Sequence, residues 1–298
     1  MKILIVGSKG FIGSHLVNYF QNREHDVWQC DVVADYTTKQ YIQIDASNSD
    51  FNAVFASKSF DVCINCSGAA SVPDSLKHPY RDFLLNTANV YALLNAIHTH
   101  CHSCKFINMS SAAVYGNPQT LPVTESAMIA PMSPYGRHKL MAELICKEFA
   151  EEYGVSTCSL RIFSAFGNGL CKQIFWDMNR KMTNTTESVF YGTGDESRDF
   201  IHIQDIVQVV DLVIKNADFK GEAINVANGK ATTIREAANL FANLKGYKGE
   251  IIFNGFVREG DPRFWQADIS VLKSWGYKQT INLEQGLKNY IQWAEEQL

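Results

Sequence analysis

The stretch KILIVGSKGFIGSHL, Lys2–Leu16, decides the fold. Residues 3–6 form an unbroken apolar run, Gly7, Gly10 and Gly13 follow at intervals of three, and FIGSHLVNYF then repeats apolar residues at helical spacing. A strand, a glycine-rich turn and a helix, in that order, open a parallel sheet. Glycine permits the tight turn, lets backbone N–H groups approach a pyrophosphate at the positive end of the helix, and allows close strand-to-helix packing. The spacing is GxxGxxG rather than the GxGxxG fingerprint, so context has to carry the reading. That context is Asp31, which ends the next strand 18 residues after Gly13. A carboxylate there accepts both ribose hydroxyls and repels a 2′-phosphate, which favours NAD over NADP.

Short apolar runs and helical patterns go on alternating: DVWQCDVV, FDVCINCSG, NVYALLNAI, KFINMSS, YGRHKLMAELICKEFAEEYG and STCSLRIF. Such alternation predicts a doubly wound α/β domain, a parallel sheet with helices on both faces, over 1–163. After Phe163 it weakens to a helix in GNGLCKQIFWDMNRKM, a loop and strand in SVFYGTGDESRDFIHI, and helices at QDIVQVVDLVIKN, from Thr233, and at LEQGLKNYIQWAEEQ. The expected organisation is a Rossmann-like domain at 1–163 with a return segment at about 199–226. A smaller mixed α/β cap of 164–198 and 227–298 packs on it, with a ligand cleft between.

The 298 residues are 46% hydrophobic and 19% charged, with a formal net charge of −4. No basic footprint marks a nucleic-acid partner. MKILIVGSKGFIG has neither a membrane span nor a secretory h-region, so a cytoplasmic protein without a membrane partner is expected. Eight cysteines then imply reduced thiols. Two CxxC pairs invite a zinc reading. Cys63 and Cys66 lie on opposite faces of a strand, however, and Cys101 and Cys104 lie in a helix-to-strand turn, HTHCHSC, so no metal is expected.

SPYGRHKLMAELICKEF carries helix-start chemistry, with Ser133 as N-cap and Pro134 in the first turn. Tyr135 and Lys139, four apart, share one face. A free phenol titrates near 10, and reaching about 7 takes roughly 4 kcal/mol of anion stabilisation. A nearby ammonium and a positive nicotinamide ring can supply much of that, which makes the pair a general acid/base. MSS, ending the strand KFINM, puts Ser110 and Ser111 at the carboxyl edge of the sheet, where open α/β folds bind ligands.

In order along the chain, GSKGFIG, CSGAA, NTANVYALLNA, SSAAVYG, SPYGRHK, LRIFSAFGNG, RDFIHIQDI and REGDPRFWQADIS resemble the motifs of the extended short-chain dehydrogenase/reductases, specifically the NAD-dependent nucleotide-sugar epimerase/dehydratase family. The resemblance implies that Ser111 binds the sugar oxygen, that Tyr135 is the acid/base, and that Lys139 lowers its pKa while holding the nicotinamide ribose. It implies a cofactor site of Gly7, Gly10, Phe11, Ile12, Gly13, Asp31, Asp45, Ala46, Ser67, Gly68, Ala69, Asn86 and Ser110 with Tyr135 and Lys139. Arg198, Arg258 and Asp261 fall to the diphosphate and ribose of a nucleotide-diphosphate sugar, with Ser164, Lys172 and Gln173 lining the cap beside Ser111. Asp199 and Asp268 are expected to tie the cap together. Relatives of this kind also imply a homodimer through the helices at NVYALLNAI and KLMAELICKEF.

Family members that eliminate water across C5 and C6 carry an Asp-Glu pair directly after the catalytic hydroxyl. Here those positions are Ala112 and Ala113, which transfer no protons. The same alanine at 113 also argues against the family decarboxylases, which use a Glu there, and the epimerase-reductases, which use a Cys. Chemistry needing only hydride transfer and one acid/base remains. The expectation is a 4-epimerase, with a 4-ketoreductase of a 4-keto-6-deoxy sugar as the alternative and a non-enzymatic dinucleotide sensor behind both.

Overall fold

The protein is described by a computed structural model covering residues 1–46, 49–256, 260 and 262–297. Strands β1 (Lys2–Val6), β2 (Asp26–Asp31), β3 (Tyr41–Gln43), β4 (Val62–Asn65), β5 (Lys105–Ser111) and β6 (Thr157–Ile162) alternate with helices α1 (Phe11–Gln21), α2 (Phe51–Ser57), α3 (Val72–Lys77), α4 (Pro79–Phe83), α5 (Asn89–His100) and α6 (Pro134–Tyr153). They build a parallel sheet of order β10-β6-β5-β4-β1-β2-β3, closed at one edge by β10 (Lys220–Val226). The doubly wound α/β expectation is met.

The apolar run of β1 serves both faces. Ile3 and Ile5 join one core with Leu16 and Phe20, whereas Leu4 and Val6 join the other with Phe51, Leu93 and Phe149. Period-two alternation therefore explains why a strand covered on both sides reads as continuously hydrophobic.

Beyond β6 the chain steps out of the sheet. Ala165 N–H bonds back to the Phe163 carbonyl at 3.0 Å, which turns β7 (Ser164–Phe166) away from β6. The segment read as a loop and one strand forms two strands, β8 (Glu187–Phe190) and β9 (Ser197–His202). Within the expected return segment, β9 pairs with β7 and with β11 (Ala231–Thr233) in a separate three-stranded sheet, while α8 (Ile203–Asn216) leads into β10 in the main sheet. β8 pairs with β12 (Glu250–Phe253).

Helices α7 (Gln173–Lys181), α9 (Ile234–Lys245) and α11 (Leu283–Glu295) surround a third core of Phe175, Phe241 and Tyr290, and the short α10 (Ser270–Ser274) precedes α11. Thr233 starts α9 through a capping box with Glu236. Asp199, fully buried, ties the loops on either side of α9 by accepting from Asn228 N–H at 2.9 Å and Ala267 N–H at 3.1 Å. Asp268 acts more locally, taking the Ser270 N–H at 2.8 Å.

Candidate active site

The glycine turn is packed to the limit. A Cβ on Gly13 would sit 2.1 Å from the Gly7 carbonyl oxygen, and Gly7 itself has φ +78° with the backbone of Cys66 and Ser67 against it. At Gly10, the residue before α1, a Cβ would meet nothing but the Gly7 carbonyl oxygen within 4 Å, so the helix N-terminus with Phe11 and Ile12 opens outward. Lys9 N–H donates to Asp31 Oδ2 at 2.8 Å, which fixes the carboxylate beside the turn, and Val32 N–H holds Oδ1 at 2.8 Å. The Ser8 hydroxyl, inside the turn, is buried without a partner. A tight turn, an anchored carboxylate and an unused buried hydroxyl fit a dinucleotide.

The remaining expected cofactor residues frame the same sheet edge. Asp45 and Ala46 are exposed just after β3. Ser67 bonds Asn65 Oδ1 at 2.5 Å, and Gly68, φ +117°, lies so close to Asn86 that a Cβ would fall 2.5 Å from its Oδ1. Ala69 follows, half-buried. Asn86 Oδ1 is itself buried and unpartnered.

Helix α6 delivers the catalytic candidates. Ser133 Oγ accepts from Gly136 N–H at 3.2 Å and Pro134 occupies the first position, as expected from sequence. The Tyr135 N–H is taken by Ser75 Oγ of α3 at 3.2 Å. Close approach is enforced at Gly136, where a Cβ would lie 2.7 Å from the Ala113 carbonyl oxygen. This brings Tyr135 to Ser111. Burial pushes the Tyr135 phenol up to about 12, and its hydrogen bond with Ser111 pulls the other way. Ser111 also caps the turn after β5 by accepting from Ala113 N–H at 3.2 Å. Lys139 Nζ lies 6.0 Å from the Tyr135 ring centre and donates to the Met109 carbonyl at 2.8 Å. Burial brings the ammonium down to about 8.

Ser110 points elsewhere. Its Oγ meets Glu143 Oε1 at 2.5 Å, and Glu143 is gripped by Arg161 through Nε at 3.1 and 3.2 Å and Nη2 at 2.8 Å. Arg161 Nη1 reaches the Tyr115 hydroxyl at 2.8 Å, and that hydroxyl donates to Asn225 Oδ1 at 2.7 Å. This buried chain ties α6 to β5, β6 and β10. The sequence reading missed it.

In the segment expected to form the cap, Ser164 is half-buried in β7, and Lys172 and Gln173 are exposed where α7 begins. Arg198 Nη1 donates to the Ser197 carbonyl at 2.9 Å, with its guanidinium 5.5 Å from the Trp265 ring centre. Arg258 and Asp261 lie outside the described residues. All eight cysteines are thiols, and among the described residues no His/Cys/Asp/Glu group is placed to hold a metal. None of the described helices is long and apolar enough to cross a membrane.

A parallel sheet, a glycine-turn dinucleotide cradle and a Ser-Tyr-Lys constellation at the strand ends define a short-chain dehydrogenase/reductase architecture. The sequence profile of the NAD-dependent epimerase/dehydratase family matches residues 3–227. The chain belongs to that family, as an enzyme with NAD for its cofactor. UDP-glucose 4-epimerase 1 of Oryza sativa subsp. japonica is 26% identical over 340 residues, covering 99% of this chain and 94% of that one. Two solved structures superpose over the whole chain. UDP-N-acetylglucosamine 4-epimerase from Methanobrevibacter ruminantium M1 has a TM-score of 0.89 at 27% identity, covering 100% of this chain and 99% of its own. UDP-glucuronic acid 4-epimerase from Bacillus cereus, in complex with UDP-glucuronic acid and NAD, has a TM-score of 0.90 at 25% identity with both chains fully covered.

Proposed function

We propose that the protein is a nucleotide-diphosphate-sugar 4-epimerase. The observation that carries the reading is the buried Tyr135 phenol beside Ser111, backed by Lys139 and with two alanines after Ser111. One proton-transfer group stands at the sheet edge, which suits reversible oxidation at C4 and leaves elimination without its second acid and base. Family membership alone does not choose, since the family holds epimerases and dehydratases.

Ser111 would hydrogen-bond the C4 oxygen and orient it toward Tyr135. Tyr135 would accept the hydroxyl proton as the C4–H bond breaks, and give it back when the 4-keto sugar, turned over, is reduced on its opposite face. When bound, NAD would supply the two-electron acceptor and donor for C4 and a positive charge that favours the phenolate. From about 12, bringing Tyr135 to neutral pH takes roughly 7 kcal/mol. Lys139 contributes through its charge and holds the nicotinamide ribose with donors left over from Met109.

Gly7, Gly10, Phe11, Ile12, Gly13, Asp31, Asp45, Ala46, Ser67, Gly68, Ala69 and Asn86 line the proposed NAD site. In the cap, Ser164, Lys172, Gln173 and Arg198 face the sugar nucleotide, with Arg258 and Asp261 assigned by motif alone. The domain division follows: 1–163 with 199–226 for NAD, and 164–198 with 227–298 for substrate. A homodimer is proposed through α5 and α6, where Tyr91, Met141 and Leu144 remain exposed. The unpaired thiols suit a cytoplasmic location.

The test is incubation with UDP-, dTDP- and GDP-sugars, saturated and 4-keto, with product stereochemistry read by NMR. Isomerisation at C4 without added cofactor, reduced roughly 10²–10⁴-fold in Tyr135→Phe, is expected. Net oxidation of reduced cofactor by a 4-keto sugar would make the protein a reductase instead.

A further inference from the structure

Helix α4 carries a buried carboxylate that the proposed reaction does not use. Asp82 is 3% exposed. Its Oδ1 accepts from Asn86 Nδ2 at 3.0 Å, and its Oδ2 lies 2.6 Å from His138 Nδ1. Phe83 packs edge-on against the His138 ring at 5.6 Å, and Thr87 Oγ1 donates to the His138 carbonyl at 3.0 Å. Residues 82–87 therefore grip the turn of α6 that carries Lys139.

Lys139 is 6% exposed, and a buried ammonium without a counter-charge loses its proton. The titratable groups that face it are Asp82 from α4, Cys66 from the end of β4, and Glu143 and Cys146 from its own helix, with Tyr135 one turn back. Burial pushes the Cys66 and Cys146 thiols up to about 12, so both are neutral at pH 7. Glu143 is committed to the Arg161 guanidinium at 2.8 Å. Asp82 has no arginine or lysine in ion-pair contact among the described residues; its ion-pair contact is the His138 imidazole at 2.6 Å.

We propose that Asp82 is the positioning residue and buried counter-ion of the acid/base pair: it fixes Asn86 and the Lys139 turn of α6, and supplies the negative charge against which the Lys139 ammonium is held. This rests on the reading of Tyr135 and Lys139 as the acid/base pair. Held 2.6 Å from the imidazole of the residue before Lys139, the buried Asp82 carboxylate stands at the turn that carries the ammonium, and its charge opposes the effect of burial. His138 orients the carboxylate and shares it.

The experiment follows the Lys139 Nζ resonance by NMR in the full chain, free of NAD and substrate, labelled with ¹³C,¹⁵N-lysine and assigned through its loss in Lys139→Arg. Asp82→Asn keeps the shape and removes the charge. The expected result is a titration midpoint lowered by roughly one pH unit, a tenfold change in acid constant, with unchanged circular dichroism. Asp82→Glu should restore the midpoint. An unmoved or raised midpoint in folded Asp82→Asn overturns the proposal.

Should Asp82→Asn not fold, His138→Asn gives an independent reading. It removes the imidazole and keeps a donor for the carboxylate, so the Lys139 midpoint should hold or rise. A fall there overturns the proposal. No substrate enters either measurement, so an enzyme that epimerises nothing while the midpoint still shifts would refute the 4-epimerase reading and leave the counter-ion standing.

Discussion

Removing Arg161 should be among the costliest single changes available in this protein, and the geometry says by how much. Its guanidinium makes three contacts of 2.8 to 3.2 Å to Glu143, one of 2.8 Å to the Tyr115 hydroxyl and one of 2.9 Å to the Glu125 carbonyl. Arg161 is 5% exposed and Glu143 is 7% exposed, so in Arg161→Leu the carboxylate stays in the interior with the Ser110 hydroxyl as its remaining hydrogen-bond donor, at 2.5 Å. Breaking a buried pair in this way costs about 3–5 kcal/mol. With an unfolding entropy of about 2.1 cal/mol/K per residue, that corresponds to a fall in Tm of roughly 5–8 °C for 298 residues. Urea unfolding of the NAD-free protein, followed by the fluorescence of its five tryptophans, reads it directly. Removing both charges in Arg161→Leu/Glu143→Leu should cost less than either single change, about 1–3 kcal/mol for the polar groups left behind. A double variant as destabilised as the sum of the singles, or an Arg161→Leu loss below about 1 kcal/mol, would refute the account.

Other outcomes follow from separate features. Gly13→Ala drives a methyl into the Gly7 carbonyl at 2.1 Å, so NAD binding measured by calorimetry should be lost while the core of Phe175, Phe241 and Tyr290, read by the fluorescence of Trp176 and Trp293 packed against it, persists. Lys139 has a folded pKa of about 8 against 10.5 unfolded, so the unfolded chain binds more protons between those values. Relative to Lys139→Met, NAD-free wild-type stability should therefore rise by up to about 3 kcal/mol from pH 8 to 10.5, and lose that gain as pH falls through 8; a flat difference would contradict the burial of a charged lysine. Thr233→Ala deletes the capping box of α9 and should cost about 1 kcal/mol in the same unfolding assay. Cys171, the exposed thiol, should react with Ellman's reagent well before the six buried ones.

What the sequence discloses and what it hides divide along contact distance. The glycine turn, the Ser133 cap, the four-residue step from Tyr135 to Lys139 and the alternation of strand and helix are local, so period and spacing carry them. The Asp82–His138 contact spans 56 residues and the Tyr115–Asn225 contact 110. Nothing in the surrounding spacing marks either partner. Arg161 hides in LRIF, where it reads as one more strand residue, and Ser110 looks equivalent to Ser111 until strand geometry sends the two hydroxyls to different partners. In the small sheet of β7, β9 and β11, the two outer strands are similarly veiled, because β7 and β11 have three residues each and give periodicity too little to act on.

The late return of β10 bears on how the chain is made. Its pairing partner β6 ends at Ile162, but β10 does not begin until Lys220. During synthesis, the ribosome exposes the hydrogen-bonding edge of β6 while it builds elements that lie outside the sheet, and the sheet is finished only after β7, α7, β8, β9 and α8 have emerged. At about 5–20 residues per second, that wait lasts several seconds. An open parallel edge invites pairing with other chains. A fragment stopped at 163 keeps the cofactor turn and the Ser-Tyr-Lys constellation but leaves that edge permanently bare, and it also lacks Asn225, the acceptor for Tyr115. The seven-stranded sheet is thus contiguous in space but not in gene order, and it is expected to be recovered from cells as a soluble piece only when the segment through Val226 travels with it.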